Sequence, residues 1–326
     1  MNSQEQRPST TTRLENMPIS FFAVVMGLSG LTLAWEQAEQ AAIMPFMASP
    51  YQAVITAVVF VVLLAFYFVK FVRHREVVLK DLRHPVRLSF FPAISISLLS
   101  VSVIAFQFYP QLSKVLWLIG AGVHLVLTLF VLSAWLNQSH FEIHHMNPSW
   151  FIPVVGNIVV PLGGIQHGYI DLSWFFFSVG LVFWLVLKVI VFYRIIFHNP
   201  LPDKLLPTLF ILIAPPAVGF LSYVKLTGSI DAFATILFYS ALFLTLMLAT
   251  QFVKFARLKF FLSWWAYSFP LAAMTIATFV MAELTGKDWF HVLAMVLFVI
   301  LNIVLAMLTV RTIEAILHNK ICLPED

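Results

Sequence analysis

The chain has 326 residues, of which 61% are hydrophobic and 10% charged, and its formal net charge is +4. A soluble domain carries about 25% charged residues, so a water-facing surface cannot be built from this chain. No nucleic-acid partner is expected. The single cysteine, Cys322, excludes an internal disulfide and any cysteine-based metal site.

Residues 1–16 form a polar segment with Arg7 and Arg13 ahead of the first apolar run. No A-x-A cleavage pattern follows, so that run is expected to be a retained first helix rather than a signal peptide. From residue 17 to 317, apolar stretches of about 20 residues, the length that crosses a bilayer core, recur between polar punctuation. They predict an all-α integral membrane protein of ten transmembrane helices. The spans are roughly 17–35, 51–72, 86–109, 112–136, 150–165, 172–197, 205–226, 230–255, 260–284 and 289–317. Turn signals separate them: Asn137 to Pro148, His198 to Pro207, Thr227-Gly228-Ser229 and Gly286-Lys287-Asp288. Short connections make consecutive helices antiparallel neighbours, and residues 318–326 form a short tail.

Charge orients the spans. An even helix count puts both termini on one side, with Arg7, Arg13, Lys70, Arg73, Arg75, Lys80, Arg83, Arg87, Arg194, Lys204, Lys254, Arg257, Lys259, Arg311 and Lys320. The other side has Lys114, Lys225 and Lys287, while Lys188 lies within a span. The positive-inside rule then predicts cytoplasmic termini, and residence in a bacterial cytoplasmic (inner) membrane is expected.

Proline divides the helices into two kinds. Odd-numbered spans carry Pro18, Pro92, Pro153 with Pro161, Pro215 with Pro216, and Pro270; even-numbered spans have no interior proline. Proline removes a backbone donor and bends a helix. In a membrane the freed carbonyl is tolerated where protein or a watery cavity meets it, not where lipid does. The odd helices are therefore expected to be proline-kinked and to line an interior, with the even helices outside. The first prolines of the five odd spans recur about every 63 residues, the signature of a helical hairpin used five times around a central pore.

Chemistry-bearing residues are sparse. There is no H-E-x-x-H, no Walker glycine loop and no pair of carboxylates inside the spans, so no catalytic residue, cofactor or metal is expected. His140, His144 and His145 with Glu142 share one loop, which reads more readily as a solvated loop than as a metal site. His124 stands alone in the fourth span and reads as packed. Lys188 reads as a snorkelling or subunit-contact residue. Candidate polar groups on the inner spans are Ser20, Ser89, Ser95, Asn157, Ser222, Ser268 and Thr275, each of which competes with a back-bond to its own helix.

Five ordered fragments carry a resemblance: Pro18-Ile19-Ser20-Phe21-Phe22 with Gly27-Leu28-Ser29-Gly30 and Ala34-Trp35; His84-Pro85-Val86-Arg87 with Ser89-Phe90-Phe91-Pro92; Asn147-Pro148 with Val154-Val155-Gly156-Asn157; Ala214-Pro215-Pro216; and Trp264-Trp265-Ala266-Tyr267-Ser268-Phe269-Pro270. Through them the chain resembles the family that joins plant guard-cell slow anion channels to bacterial TehA tellurite-resistance and dicarboxylate transporters. The resemblance implies five helical hairpins around a pore and a homotrimer in membrane lipid, with one pore per subunit. It also implies a phenylalanine plug in the ninth helix, carried here by Phe269. A second phenylalanine on the third helix is best matched by Phe91, with Phe90 the alternative, and Phe21 and Phe22 join the pore-lining candidates. A phenyl ring in a narrow passage excludes water by size and apolarity, and the proline after Phe269 disfavours α geometry there. The expected function is a channel for small monovalent anions such as chloride and nitrate. The alternatives are a proton-coupled carrier of dicarboxylate, sulfite or tellurium oxyanions, and a non-transporting receptor or scaffold. Coupled carriers commonly use an intramembrane titratable group, and the inner spans offer almost none.

Overall fold

The computed structural model describes residues 10–138 and 141–323, and every regular element among them is helical. Ten apolar helices, α1 to α10, run Phe22–Gln40, Ser49–Arg73, Ala93–Ala105, Pro110–Asn137, Ile152–Gly164, Ile170–Phe197, Ala214–Thr227, Ala232–Ala249, Ser268–Thr285 and Asp288–Leu317. Taken with the helical turns that lead into them, nine of these segments are long and apolar enough to cross a membrane. The fifth, Pro148–Gly164, is apolar but shorter. The eighth span stops at Ala249, earlier than its hydropathy suggests, and a separate short helix, Phe252–Ala256, follows. There the chain turns as Lys254 and Arg257 arrive, charges that belong at a membrane surface.

The odd-numbered helices share a construction. A 3-10 segment leads into each one: Ile19–Phe21, Arg87–Phe90 (with the turn Phe91-Pro92 before α3), Pro148–Phe151, Leu206–Ile213 and Leu262–Tyr267. The prolines cluster at these junctions. Pro18 precedes the first segment, Pro92 directly precedes α3, and Pro153, Pro215, Pro216 and Pro270 fall in the first turns of α5, α7 and α9. The first turn of an α-helix has N–H groups with no intrahelical acceptor, so proline is tolerated there. These prolines thus mark where 3-10 geometry gives way to α, and Pro161 is the one recorded inside a described α-helix. At the other end, Gly228 and Gly286 adopt φ of 70° and 62° and close α7 and α9, a left-handed position that glycine fills without a Cβ clash.

Burial separates the two sets. In the segments ending in α3, α7 and α9, 78% of the most apolar stretch is buried, and 61% in that of α1; the values for α2, α4, α6, α8 and α10 are 22–33%. Each odd helix packs against the even helix that follows it. The odd helices also pack on one another in a closed cycle: α1 on α3, α3 on α5, α5 on α7, α7 on α9, and α9 back on α1. Closure between α9 and α1 depends on small residues. A Cβ on Gly27 would lie 2.2 Å from Ser268 Oγ, and one on Gly30 would lie 2.6 Å from Ala272 Cβ.

Polar bonds fasten the inner helices to the outer ones. Trp35 Nε1 donates to Asn302 Oδ1 at 2.9 Å, Trp117 Nε1 to the Val160 carbonyl at 2.9 Å, and Trp265 Nε1 to Thr312 Oγ1 at 2.9 Å. Lipid is as apolar as leucine, so packing and such hydrogen bonds, not apolar burial, hold membrane helices together. Near the two ends of the described residues, Arg13 donates to the Asn319 side-chain oxygen.

Candidate functional site

The lead-in segments and first turns of all five odd helices surround one cavity. Its wall takes Ser20, Ala23 and Met26 from the start of α1, Phe90 and Ala93 from α3, and Ile152 and Val155 from α5. Thr208 and Ile211 come from the lead-in to α7, and Trp265, Phe269 and Pro270 from the start of α9. The free space is about 50 Å³, room for one or two waters. Two of its hydroxyls are spent on backbone carbonyls: Thr208 donates to the Leu205 carbonyl and Ser263 to the Lys204 carbonyl. A wall of this kind offers an ion little in exchange for its hydration shell.

Phe269 is half-buried against this cavity. It lies in the first turn of α9, so its own backbone is α-helical even though Pro270 follows, contrary to the expectation, and the irregular stretch is the 3-10 run Leu262–Tyr267 before it. On the same face of α9, Ile276 and Val280 follow at helical spacing and are also only partly buried. Phe90 lines the cavity; Phe91 is 5% exposed and packs edge-on against Tyr67, away from it. Phe21 and Phe22 are buried, Phe22 edge-on against Phe60 and Tyr67.

Among the polar candidates, Ser20 reaches the cavity, and Ser89, Ser95, Asn157, Ser222, Ser268 and Thr275 are fully buried between helices. Thr275 and Ser268 bond back to the Leu271 and Trp265 carbonyls, at 2.8 and 2.6 Å. Ser222 instead crosses to the Ile158 carbonyl of α5 at 2.6 Å, which makes it an inter-helix tie. Asn157 donates to the Pro153 carbonyl and to Thr128. Ser89 Oγ has no hydrogen-bond partner among the described residues.

His124 is fully buried, with Nε2 3.0 Å from the Pro153 carbonyl and Nδ1 2.9 Å from Ser95 Oγ. It therefore stitches α4 to α3 and α5 at two of the proline junctions. Gly156 is obligatory beside it, since a Cβ there would lie 2.0 Å from the imidazole. Lys188 lays its ammonium over the Trp184 ring at 5.2 Å, one turn earlier on its own helix. The rings of His144 and His145 lie 4.0 Å apart at a tilt of 49°, with His144 3.2 Å from the Glu142 carboxylate; His140 lies outside the described residues. Among the described residues no three metal-ligating side chains converge.

Sequence reading missed several wall residues, including Met26, Thr208, Ile211 and Trp265, because an apolar residue facing a passage looks the same in sequence as one facing lipid. It also missed a polar group at the opposite ends of the odd helices. There Gln40 donates to the Glu36 carboxylate at 3.2 Å, near the end of α1.

A closed cycle of buried helices around a narrow apolar cavity, sheathed in long apolar helices, defines an integral membrane helical bundle. Residues 16–313 match the family described as SLAC1, voltage-dependent anion channel, and the chain belongs to that family. It is 30% identical over 303 residues to the S-type anion channel SLAH3 of Arabidopsis thaliana, covering 91% of this chain and 48% of that protein. The guard cell S-type anion channel SLAC1 of the same plant is 28% identical over 316 residues, 94% of this chain and 56% of that protein. The tellurite resistance protein TehA homolog of Haemophilus influenzae is 27% identical over 261 residues, 79% of each chain. The chain thus spans about half the length of the plant relatives it matches.

Proposed function

We propose that this protein is a passive channel for small monovalent anions, with chloride and nitrate the natural test ions. Its ten helices act as five hairpins, Pro148–Gly164 serving as the short fifth span. The five odd helices, bent at their proline junctions, surround an axial passage, and residues 17–317 form the channel domain. Phe269 is the gate, opposed across the cavity by Phe90. The Lys- and Arg-rich face with both termini is cytoplasmic, the host membrane is a bacterial inner membrane, and the working unit is a homotrimer with one passage per subunit. The observation that carries this reading is the cavity to which all five odd helices contribute and against which Phe269 rests.

The physical case is desolvation. An ion passing the ring must shed water against an apolar surface, and nothing fixed and charged on the cavity wall holds it, which suits the weak binding that conduction needs. A Phe side chain amounts to about 1.5–3 kcal/mol of apolar surface, so Phe269→Ala is expected to raise anion current about ten- to a hundredfold. Currents from oocytes or planar bilayers test this; a current no larger than wild type, from protein that reaches the membrane, overturns the gate. In proteoliposomes, flux through Phe269→Ala should follow membrane potential with no pH gradient. Uptake that collapses with the gradient would instead establish the proton-coupled carrier, and no flux at all the receptor or scaffold.

A further inference from the structure

A second, larger cavity lies outside the central passage, where α8 ends. It is a cleft open to the surface, with about 540 Å³ of free space, between the segment leading into α7 and the turn after α8. That volume falls within the range of small-molecule sites, about 300–1,000 Å³. Asp203 and Leu206 form one wall, and Thr250, Val253, Lys254 and Arg257 form the other. Lys254 and Arg257 stand three residues apart on the short helix Phe252–Ala256 and its cap, so they share a face. Neither pairs with a carboxylate among the described residues, Asp203 across the cleft included. The short helix is pinned: Phe255 is buried and packs edge-on against Phe210 at 5.1 Å and Tyr267 at 6.0 Å.

Two features describe what fits here. The first is charge: residues 203–206 and 250–259 include Lys204, Lys254, Arg257 and Lys259 against the single acid Asp203. The second is an apolar track. Phe243 and Leu246 precede Thr250 at helical spacing along α8 and are exposed, as are Val253 in the wall and Phe252 beside it. A cationic cleft at the end of a span thus continues into an apolar stripe along that span. We propose that the cleft holds the headgroup of an anionic phospholipid, its phosphate taken by Lys254 and Arg257 and its acyl chains lying along Phe243 and Leu246. Basic pockets between helices at a membrane surface suit such headgroups. Arginine offers phosphate a planar fork of donors, and lysine adds a point charge. A free phosphate ester would use the two cations but not the apolar stripe. Asp203 opposes the phosphate, so the lipid exchanges with the bilayer instead of locking in.

The test titrates the purified protein in detergent with phosphatidylglycerol and counts bound lipid by native mass spectrometry, with phosphatidylcholine as the lipid of no net charge. Phosphatidylglycerol should bind more tightly. One basic residue beside an anionic headgroup amounts to about fivefold in affinity. Lys254→Gln or Arg257→Gln should therefore weaken phosphatidylglycerol about fivefold, and the double variant about thirtyfold. Lys254→Arg should keep the binding, and Asp203→Asn should tighten it. Arg75→Gln with Lys80→Gln removes the same charge elsewhere on the surface and should change little. All five side chains are exposed, so the variants should keep the fold. Equal losses in the two double variants would reduce the effect to general surface charge, and equal binding of the two lipids would remove the charge recognition; either overturns the proposal. Glycerol phosphate that displaces phosphatidylglycerol at similar concentration would make the occupant a soluble phosphate ester. A change in oligomeric mass without loss of lipid would assign the cleft to a second copy of the chain. Each of these also overturns it.

Discussion

The five odd helices and the five even ones are made of almost the same amino acids, yet they solve different problems. The even helices are 18–30 residues long, apolar on most faces, and end in charged or polar turns. Most of their surface meets lipid, so leucine, valine and phenylalanine are interchangeable there and position matters little. The odd helices are α-helical for only 13–19 residues, begin as 3-10 turns, and carry the glycines, serines and prolines that let backbones approach. The difference teaches that apolarity places a helix in the membrane, whereas small residues and irregular backbone place it at the centre.

The largest expected effect lies where the two sets are fastened by charge. Lys70, at the end of α2, is 1% exposed; it donates to the Met17 carbonyl at 2.8 Å and pairs with Asp81 at 3.2 Å, while Arg87 holds the other Asp81 oxygen at 2.7 Å. Asp81→Ala strands a buried ammonium and should lower stability by about 3–5 kcal/mol, read as a drop in the melting temperature of the detergent-solubilised protein. Lys70→Met in the same background should recover much of the loss. No loss from Asp81→Ala would mean that this seam is wet.

Next comes a matched pair of truncations. Leu99, on α3, is 1% exposed and lies against Gly120, whereas Leu246, on α8, is 57% exposed. Leu99→Ala should cost about 2–5 kcal/mol, because a cavity remains between helices. Leu246→Ala should cost little, because lipid fills the space. Equal losses would erase the distinction between the sets.

A second pair turns on one methyl group. Gly156→Ala on α5 drives a Cβ into His124, while Gly122→Ala on α4 meets nothing within 4 Å. The first should destabilise by about 1–3 kcal/mol through overpacking; the second should be neutral or stabilise by up to about 1 kcal/mol through helix propensity. Thermal melts of the two variants side by side decide it.

The smallest effect is a pH dependence in the turn between α5 and α6. His167 stands 2.9 Å from Ser113 Oγ and edge-on to Phe106, and burial, aided by Lys114, pulls its pKa below the ordinary 6.5. The folded state therefore binds this proton less well than the unfolded chain. Its contribution is complete above pH 6.5 and fades as pH falls through the lowered folded value. Amide exchange in residues 165–169 should quicken on acidification, and His167→Gln should flatten that response.

Much of the frame was legible in the residues. Apolar runs located the spans to within a few positions, apart from the first, which continues to Gln40, and the eighth, which stops at Ala249. The proline alternation marked the helices that are most buried, although it suggested mid-helix bends where the chain instead passes from 3-10 to α. The site was legible only in part. Phe90 and Phe91 are adjacent and chemically identical, and a rotation of one residue decides which reaches the cavity. Ser222 and Thr275 look alike on paper, yet one ties two helices together and the other bonds back to its own.

Composition and periodicity by themselves determined that the chain lives in a bilayer, roughly where most spans lie, and which spans differ in kind. A membrane imposes those conditions along one dimension, its thickness, and each segment meets them alone. Which side chains share an axis was decided only by tertiary structure. That depends on how each helix is rotated, and the rotation is set by contacts between residues far apart in the chain, such as Gly27 with Ser268, or Ser222 with Ile158.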